Sequence, residues 1–120
     1  MAGERAALAF LKEKGYRILQ TNFSCKQGEI DIVAEDEETL VFVEVKTREV
    51  FGDELPEAAL TRSKKRKVAR AAREFMKKYH AHDRIFRFDL IGIDYHLNGQ
   101  CKIHHWQNTI DYRRALVRWR

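Results

Sequence analysis

Two short runs of this chain alternate apolar and polar residues with a period of two, and only a few acidic residues separate them. In the first, Glu29 to Glu35, Ile30, Ile32 and Ala34 fall on one face and Glu29, Asp31 and Val33 on the other. In the second, Leu40 to Thr47, Val41, Val43 and Val45 oppose Phe42, Glu44 and Lys46. That period belongs to half-buried strands, and two such runs joined by a short polar segment predict a hairpin. With Asp36–Thr39 as the loop, Glu35 pairs with Leu40, Asp31 stands opposite Glu44, and Glu29 stands opposite Lys46. Opposed Cβ atoms lie roughly 4.5–5.5 Å apart, and residues two apart share a face. Asp31, Glu44 and Lys46 are therefore expected in one patch.

The other segments supply the setting. Gly3 to Lys14 reads as a helix, with Ala7, Leu8 and Leu11 at helical spacing and Gly15 as its stop. Glu4 falls on the same stripe, where a first-turn acid also suits the helix dipole. Tyr16 to Phe23 suggests a strand and Ser24 to Gly28 a turn. Arg48 to Thr61 has no period, contains Gly52 and Pro56, and reads as a long loop, with Ala58 to Leu60 able to add a helical turn. A helix from Lys64 to about His80 follows, with Ser63 as its cap. Arg84 to Tyr95 and Cys101 to Gln107 read as strands joined through Asn98-Gly99. The chain has 120 residues, the size of one domain, and the element order predicts a single α/β or α+β unit.

Charge separates the halves. Residues 1–60 hold seven lysines and arginines against thirteen acids, and residues 61–120 hold sixteen against five. The second half thus suits a polyanion. On the helix from Lys64, Val68, Ala71, Ala72, Phe75, Met76 and Tyr79 form an apolar stripe, and Arg66, Arg70, Arg73 and Lys77 a basic one. Lys64 and Lys65 crowd the first turn, where the dipole disfavours cations, and a nucleic-acid backbone would supply the missing anions. No run approaches the length needed to cross a bilayer. The absence of an export signal, and of any CxxC pair between Cys25 and Cys101, points to the cytoplasm. The five histidines show no zinc spacing and read as surface or packing residues.

Two carboxylates placed opposite each other repel, and a cation between them removes the cost. Mg²⁺ prefers oxygen ligands and is usually held by one or two carboxylates with waters and substrate phosphates. A lysine two residues on, at Lys46, can hold a water or a phosphate oxygen. These are the parts of phosphodiester hydrolysis. The ordinary alternative is a solvated strand face with weak ion pairs, and a register slip of one residue would scatter the set.

The motifs also carry a resemblance. Gly3-Glu4 with Ala7, Tyr16, Asn22-Phe23, Gly28-Glu29-Ile30-Asp31, Phe42 to Arg48, Lys65-Arg66-Lys67 and Arg87-Phe88-Asp89 resemble the YraN-like family of bacterial proteins. That family is classed with the PD-(D/E)xK, restriction-endonuclease-like nucleases and is similar to archaeal Holliday junction resolvases. The resemblance implies a restriction-endonuclease-like mixed β-sheet flanked by helices, in a domain over residues 1–112 with a basic tail at 113–120. It implies Asp31 and Glu44 as ligands of Mg²⁺ or Mn²⁺, Glu4 as an auxiliary acid from the first helix, and Lys46 as the catalytic lysine. Ile30 stands where the superfamily's namesake proline would be. Together the readings lead to a metal-dependent endonuclease acting on DNA, with branched or damaged forms among its substrates and RNA left open. Lys64, Lys65, Arg66, Arg70, Arg73 and Lys77 would track the backbone, and Arg48 would reach a phosphate near the cut. A homodimer is compatible with symmetric cleavage. The rival is a non-catalytic nucleic-acid-binding module on the same fold. A protein docking an acidic partner or an anionic membrane surface ranks last.

Overall fold

Ala7 and Leu11 lie one turn apart and are both fully buried, and this pairing fixes the first helix, α1 (Ala2–Glu13), against the sheet. A computed structural model describes residues 2–52, 54–56 and 60–109. After α1 come β1 (Arg17–Cys25), β2 (Gly28–Asp36), β3 (Thr39–Val50), α2 (Arg62–Lys78), β4 (Phe86–His96) and β5 (Cys101–Trp106). The strands form one sheet in the order β1-β2-β3-β4-β5. All neighbours are antiparallel except β3 and β4, which run parallel. A parallel pair needs a crossover, and α2 lies within it. The result is one α/β domain with a mixed five-stranded sheet and two helices, consistent with a restriction-endonuclease-like fold.

Each helix covers its own apolar cluster. Val68, Ala72, Phe75 and Met76 of α2 pack on Phe23, Ile30, Val33, Leu40, Phe42 and Phe88. Ala7 and Leu11 of α1 pack with Ile32, Ala34, Val41, Val43, Ile91 and Ile93. Phe75 stands edge-on to both Phe23 and Phe42, with centroids 5.2 and 5.7 Å apart, a favourable aromatic geometry. The division breaks the simple alternation expected of β2, since Ile30 joins one cluster and Ile32 the other. Asn22 in β1 lies opposite the point of change. It has φ 52, a left-handed conformation that asparagine tolerates better than most residues. It lies between the pairs Thr21↔Ile32 and Phe23↔Ile30.

The β2–β3 hairpin is tighter than expected. Glu35 pairs with Leu40, but Asp36 also pairs with Thr39, leaving a two-residue turn in which Glu37 adopts φ 55. β3 runs on to Val50, beyond the Thr47 expected, because Arg48, Glu49 and Val50 stay in register with Asp94, Tyr95 and His96 of β4. The cap of α2 is Thr61 and not Ser63: its hydroxyl accepts from Lys64 N at 3.1 Å. The expected helical turn at Ala58 and the 113–120 tail lie outside the described residues, as does the end of the 1–112 domain. Among the described residues, no helix is long and apolar enough to cross a membrane.

Gly28 begins β2 hard against α2. A Cβ there would lie 2.6 Å from the Lys67 carbonyl oxygen, a backbone atom that cannot swing aside. Gly28→Ala is expected to lower the unfolding free energy by about 1–3 kcal/mol, the usual cost of overpacking, as read from urea midpoints at unchanged m-value.

Candidate active site

The ladder between β2 and β3 ends at Ile32↔Val43. The expected pairs Asp31↔Glu44 and Glu29↔Lys46 are not part of it, and Glu29 pairs instead with Ser24 of β1. Asp31 uses its side chain where a backbone bond would have continued the ladder: Oδ2 accepts from Val45 N at 2.8 Å. The two strands therefore part just where the acids sit, and the Asp31 carboxylate is aimed at β3.

Glu44 follows Leu40 and Phe42 along the α2 face of β3. It is 3% exposed. Burial pushes its carboxyl up to about 8, the nearby Asp31 charge adds to the rise, and Lys64 opposes it. Lys64, in the first turn of α2, brings Nζ to 3.3 Å from Glu44 Oε2. Burial works against that ammonium, but Glu44, Asp31 and Glu29 outweigh it and hold the lysine above its ordinary pKa. Glu44 Oε1 is buried with no hydrogen-bond partner, the kind of group that stable folds seldom leave unsatisfied. Lys46 lies two residues on and shares the face.

The remaining expected residues are placed more widely. Glu4 sits in the α1 layer, and its Oε1 accepts from Asn22 Nδ2 at 3.0 Å. Asn22 flanks Asp31 across β1 and β2, so Glu4 stands near the acids without joining them. Among the described residues, no group of three or more His, Cys, Asp or Glu side chains is arranged to hold a metal ion. Arg48 donates Nε to Asp94 Oδ1 at 2.8 Å and Nη2 to Oδ2 at 3.2 Å. It also donates to the Leu55 carbonyl and lies 3.9 Å from Glu54. This grip holds the Asp94 carboxyl below the usual range. On α2, Arg73 and Lys77 are exposed and Lys65, Arg66 and Arg70 half-buried.

The sequence reading missed Asp94, His104 and Trp106, which share the α2 face of β4 and β5 with these residues. Gly92, isolated within β4, was the available signal, since a glycine inside a strand often marks a close approach. A second polar cluster lies on the α1 face. His105 Nε2 is 2.7 Å from Asp89 Oδ2, and Lys14 Nζ is 2.8 Å from His105 Nδ1. An ammonium can only donate, so Nδ1 accepts and Nε2 carries the proton given to Asp89.

A family model described as "Uncharacterised protein family UPF0102" matches residues 3–93. The chain belongs to the UPF0102 family. A UPF0102 protein of Pelobacter propionicus is 44% identical over 111 residues, covering 91% of this chain and 79% of that protein. One from Caldicellulosiruptor saccharolyticus is 44% identical over 92 residues, 77% of this chain and 78% of its own. A third, from Geobacter sulfurreducens, is 41% identical over 109 residues, 91% and 85% respectively. The UPF0102 match takes in α1, Asp31, Glu44, Lys46 and α2, and stops within β4.

Proposed function

We propose that the protein hydrolyses phosphodiester bonds in DNA with the help of Mg²⁺ or Mn²⁺ held by Asp31 and Glu44. The observation that carries this reading is the buried Glu44 with one oxygen unsatisfied, beside Asp31 and at the foot of a strongly basic helix. Two carboxylates, one with an uncommitted oxygen, fit an ion that takes its other ligands from water and substrate. When bound, such an ion makes a coordinated water more acidic and stabilises charge at the phosphate. The resemblance to PD-(D/E)xK nucleases supports the same assignment.

The protein's own groups divide the remaining work. Lys46 shares the face of Glu44 and is placed to hold a water or a phosphate oxygen. Lys64 contacts Glu44 in the free protein, where burial keeps the carboxyl protonated up to about 8, and turns to the substrate backbone once a cation takes over that carboxylate. Arg66, Arg70, Arg73 and Lys77 contact phosphates along α2, an interaction that weakens steeply with salt. Glu4 acts through Asn22 to fix the backbone beside Asp31.

Calorimetry with Mn²⁺ and a cleavage assay on plasmid and four-way-junction DNA test the proposal. Metal binding by wild type, its loss in Asp31→Asn, and metal-dependent nicking by wild type alone are expected. DNA binding without turnover or metal binding would leave a non-catalytic module, a reading favoured by Lys64 already occupying the Glu44 carboxylate.

A further inference from the structure

The register of β3, β4 and β5 lays rows of side chains across the α2 face of the sheet. Glu44, Leu90 and Trp106 form one row, Lys46, Gly92 and His104 the next, and Arg48, Asp94 and Lys102 a third. Adjacent strands are about 4.8 Å apart, which puts the Trp106 strand about 10 Å from that of Glu44. α2 packs on β1, β2 and the apolar rows of Leu40, Phe42 and Phe88. The polar rows continue past them toward β5.

Gly92 shapes this region. A Cβ there would meet Trp106 Cζ3 at 2.8 Å and Cη2 at 3.2 Å. The six-membered ring of the indole therefore rests on the β4 backbone, in the space that any other side chain would fill. His104 stacks beside it, with centroids 5.6 Å apart and planes 30° apart. Asp94 Oδ2, fixed by Arg48, lies 3.3 Å from His104 Nε2. Trp106 is half-buried and belongs to neither apolar cluster, so core packing does not account for it. A large ring laid against a bare strand, in the row of Glu44 and beside Lys46, is a surface suited to a flat aromatic ligand.

We propose that Trp106 and His104 form a stacking ledge for an unpaired base next to the phosphate at Glu44, so that the substrate is single-stranded or locally unpaired DNA and not intact duplex. This rests on the nucleic-acid reading above. Bases inside a duplex have their faces covered by neighbours, whereas unpaired bases stack on protein aromatics in a sequence-tolerant way. Charge complementarity favours the same occupant: over Arg62–Lys78 nine basic residues face a single acid, Glu74.

The chain has two tryptophans, so Trp119→Phe leaves Trp106 as the sole indole. In metal-free buffer, labelled oligo(dT) and a blunt duplex of equal length are titrated by anisotropy while indole emission is followed. Oligo(dT) is expected to bind with quenching of Trp106, and the duplex to bind more weakly without it. Trp106→Leu, which keeps apolar bulk but loses the aromatic face, is expected to weaken oligo(dT) about 5- to 150-fold and leave duplex affinity unchanged. Trp106→Phe is expected to restore most of the loss. Circular dichroism checks the fold, and should Trp106→Leu unfold, the quenching in the Trp119→Phe protein still decides. Saturation by oligo(dT) with unchanged emission, or equal losses for both DNAs, overturns the ledge. Metal-dependent cleavage of oligo(dT) unaffected by Trp106→Leu would also overturn it while sparing hydrolysis. Quenching and preferential binding without cleavage would keep the ledge and remove the hydrolytic reading. Failure of both DNAs to bind would remove both.

Discussion

Glu44→Gln is expected to reduce metal-dependent cleavage at least about 100-fold and, at the same time, to make the metal-free protein more stable above pH 8. The first effect follows from removing a charged ligand, since even changes to the partners of ligands cost about 10- to 100-fold. The second follows from burial. The Glu44 carboxyl ionises near 8 in the folded protein, against an ordinary value of 4.5. Between those two values the unfolded chain has lost a proton that the folded chain keeps. Raising the pH through that window therefore favours unfolding. At about 1.4 kcal/mol per pH unit, wild type loses up to about 4–5 kcal/mol between pH 4.5 and 8, and the glutamine variant lacks this loss. Urea unfolding at pH 5, 7 and 8.5 reads the difference: the two proteins should match at pH 5 and diverge by pH 8.5. Mn²⁺ should reverse the order for wild type alone and release a proton on binding near pH 7, a heat that varies with the buffer's ionisation enthalpy. Parallel pH profiles for the two proteins would show that Glu44 ionises normally, and the case for a strained carboxylate pair would go with it.

The parts of the fold that local pattern dictates were open to inspection in the sequence. The alternating runs of β2 and β3, the apolar stripe of α2 and the Asn98-Gly99 connection are each set by neighbours a few positions away. What needed distant partners was hidden. Nothing local says that Arg48, Glu49 and Val50 stay extended; β4, lying parallel some 46 positions later, holds them in register. Alternation alone put Ile30 with Ile32, but the two join different clusters, at the point where β1 carries the left-handed Asn22. At the candidate site, the shared face of Glu44 and Lys46 follows from strand periodicity. The role of Lys64 does not, because a lysine in a helix's first turn looks misplaced until the crossover sets it beside Glu44. Gly92 and Trp106 illustrate the same limit: the glycine was visible as an oddity, but which ring it receives depends on the β4–β5 register.

Arg87→Ala is expected to be strongly destabilising, costing about 3–5 kcal/mol, the range for uncovering a buried charge. Arg87 donates Nε to Asp89 Oδ1 at 3.1 Å, and Nη2 to Asp36 Oδ2 at 3.2 Å and to the Tyr16 hydroxyl at 2.5 Å. The Asp89 side chain is fully enclosed. Without Arg87 it keeps His105 and the Asn108 amide, two hydrogen bonds that do not by themselves replace a guanidinium. Against a typical total of about 5–15 kcal/mol, the loss should lower Tm by on the order of 10–20 °C. Arg17 offers the internal control. It pairs with Glu35 at 3.1 Å, but its side chain is 77% exposed, and Arg17→Ala should cost no more than about 1 kcal/mol. The double variant Arg87→Ala/Asp89→Ala should recover part of the single variant's loss, because the stranded charge is gone, and the cycle isolates the coupling between the two groups. If Arg87→Ala proved as mild as Arg17→Ala, the Asp89 charge would have to be neutralised from another side, and Lys14 through His105 would be the group to remove next. The physical point joins the two faces of the sheet. On the α1 side a buried acid is matched by a guanidinium, an imidazole and a backbone amide, whereas on the α2 side Glu44 is held by Lys64 and an Asp31 backbone hydrogen bond and keeps one oxygen without a partner, which is the asymmetry that the proposed metal site rests on.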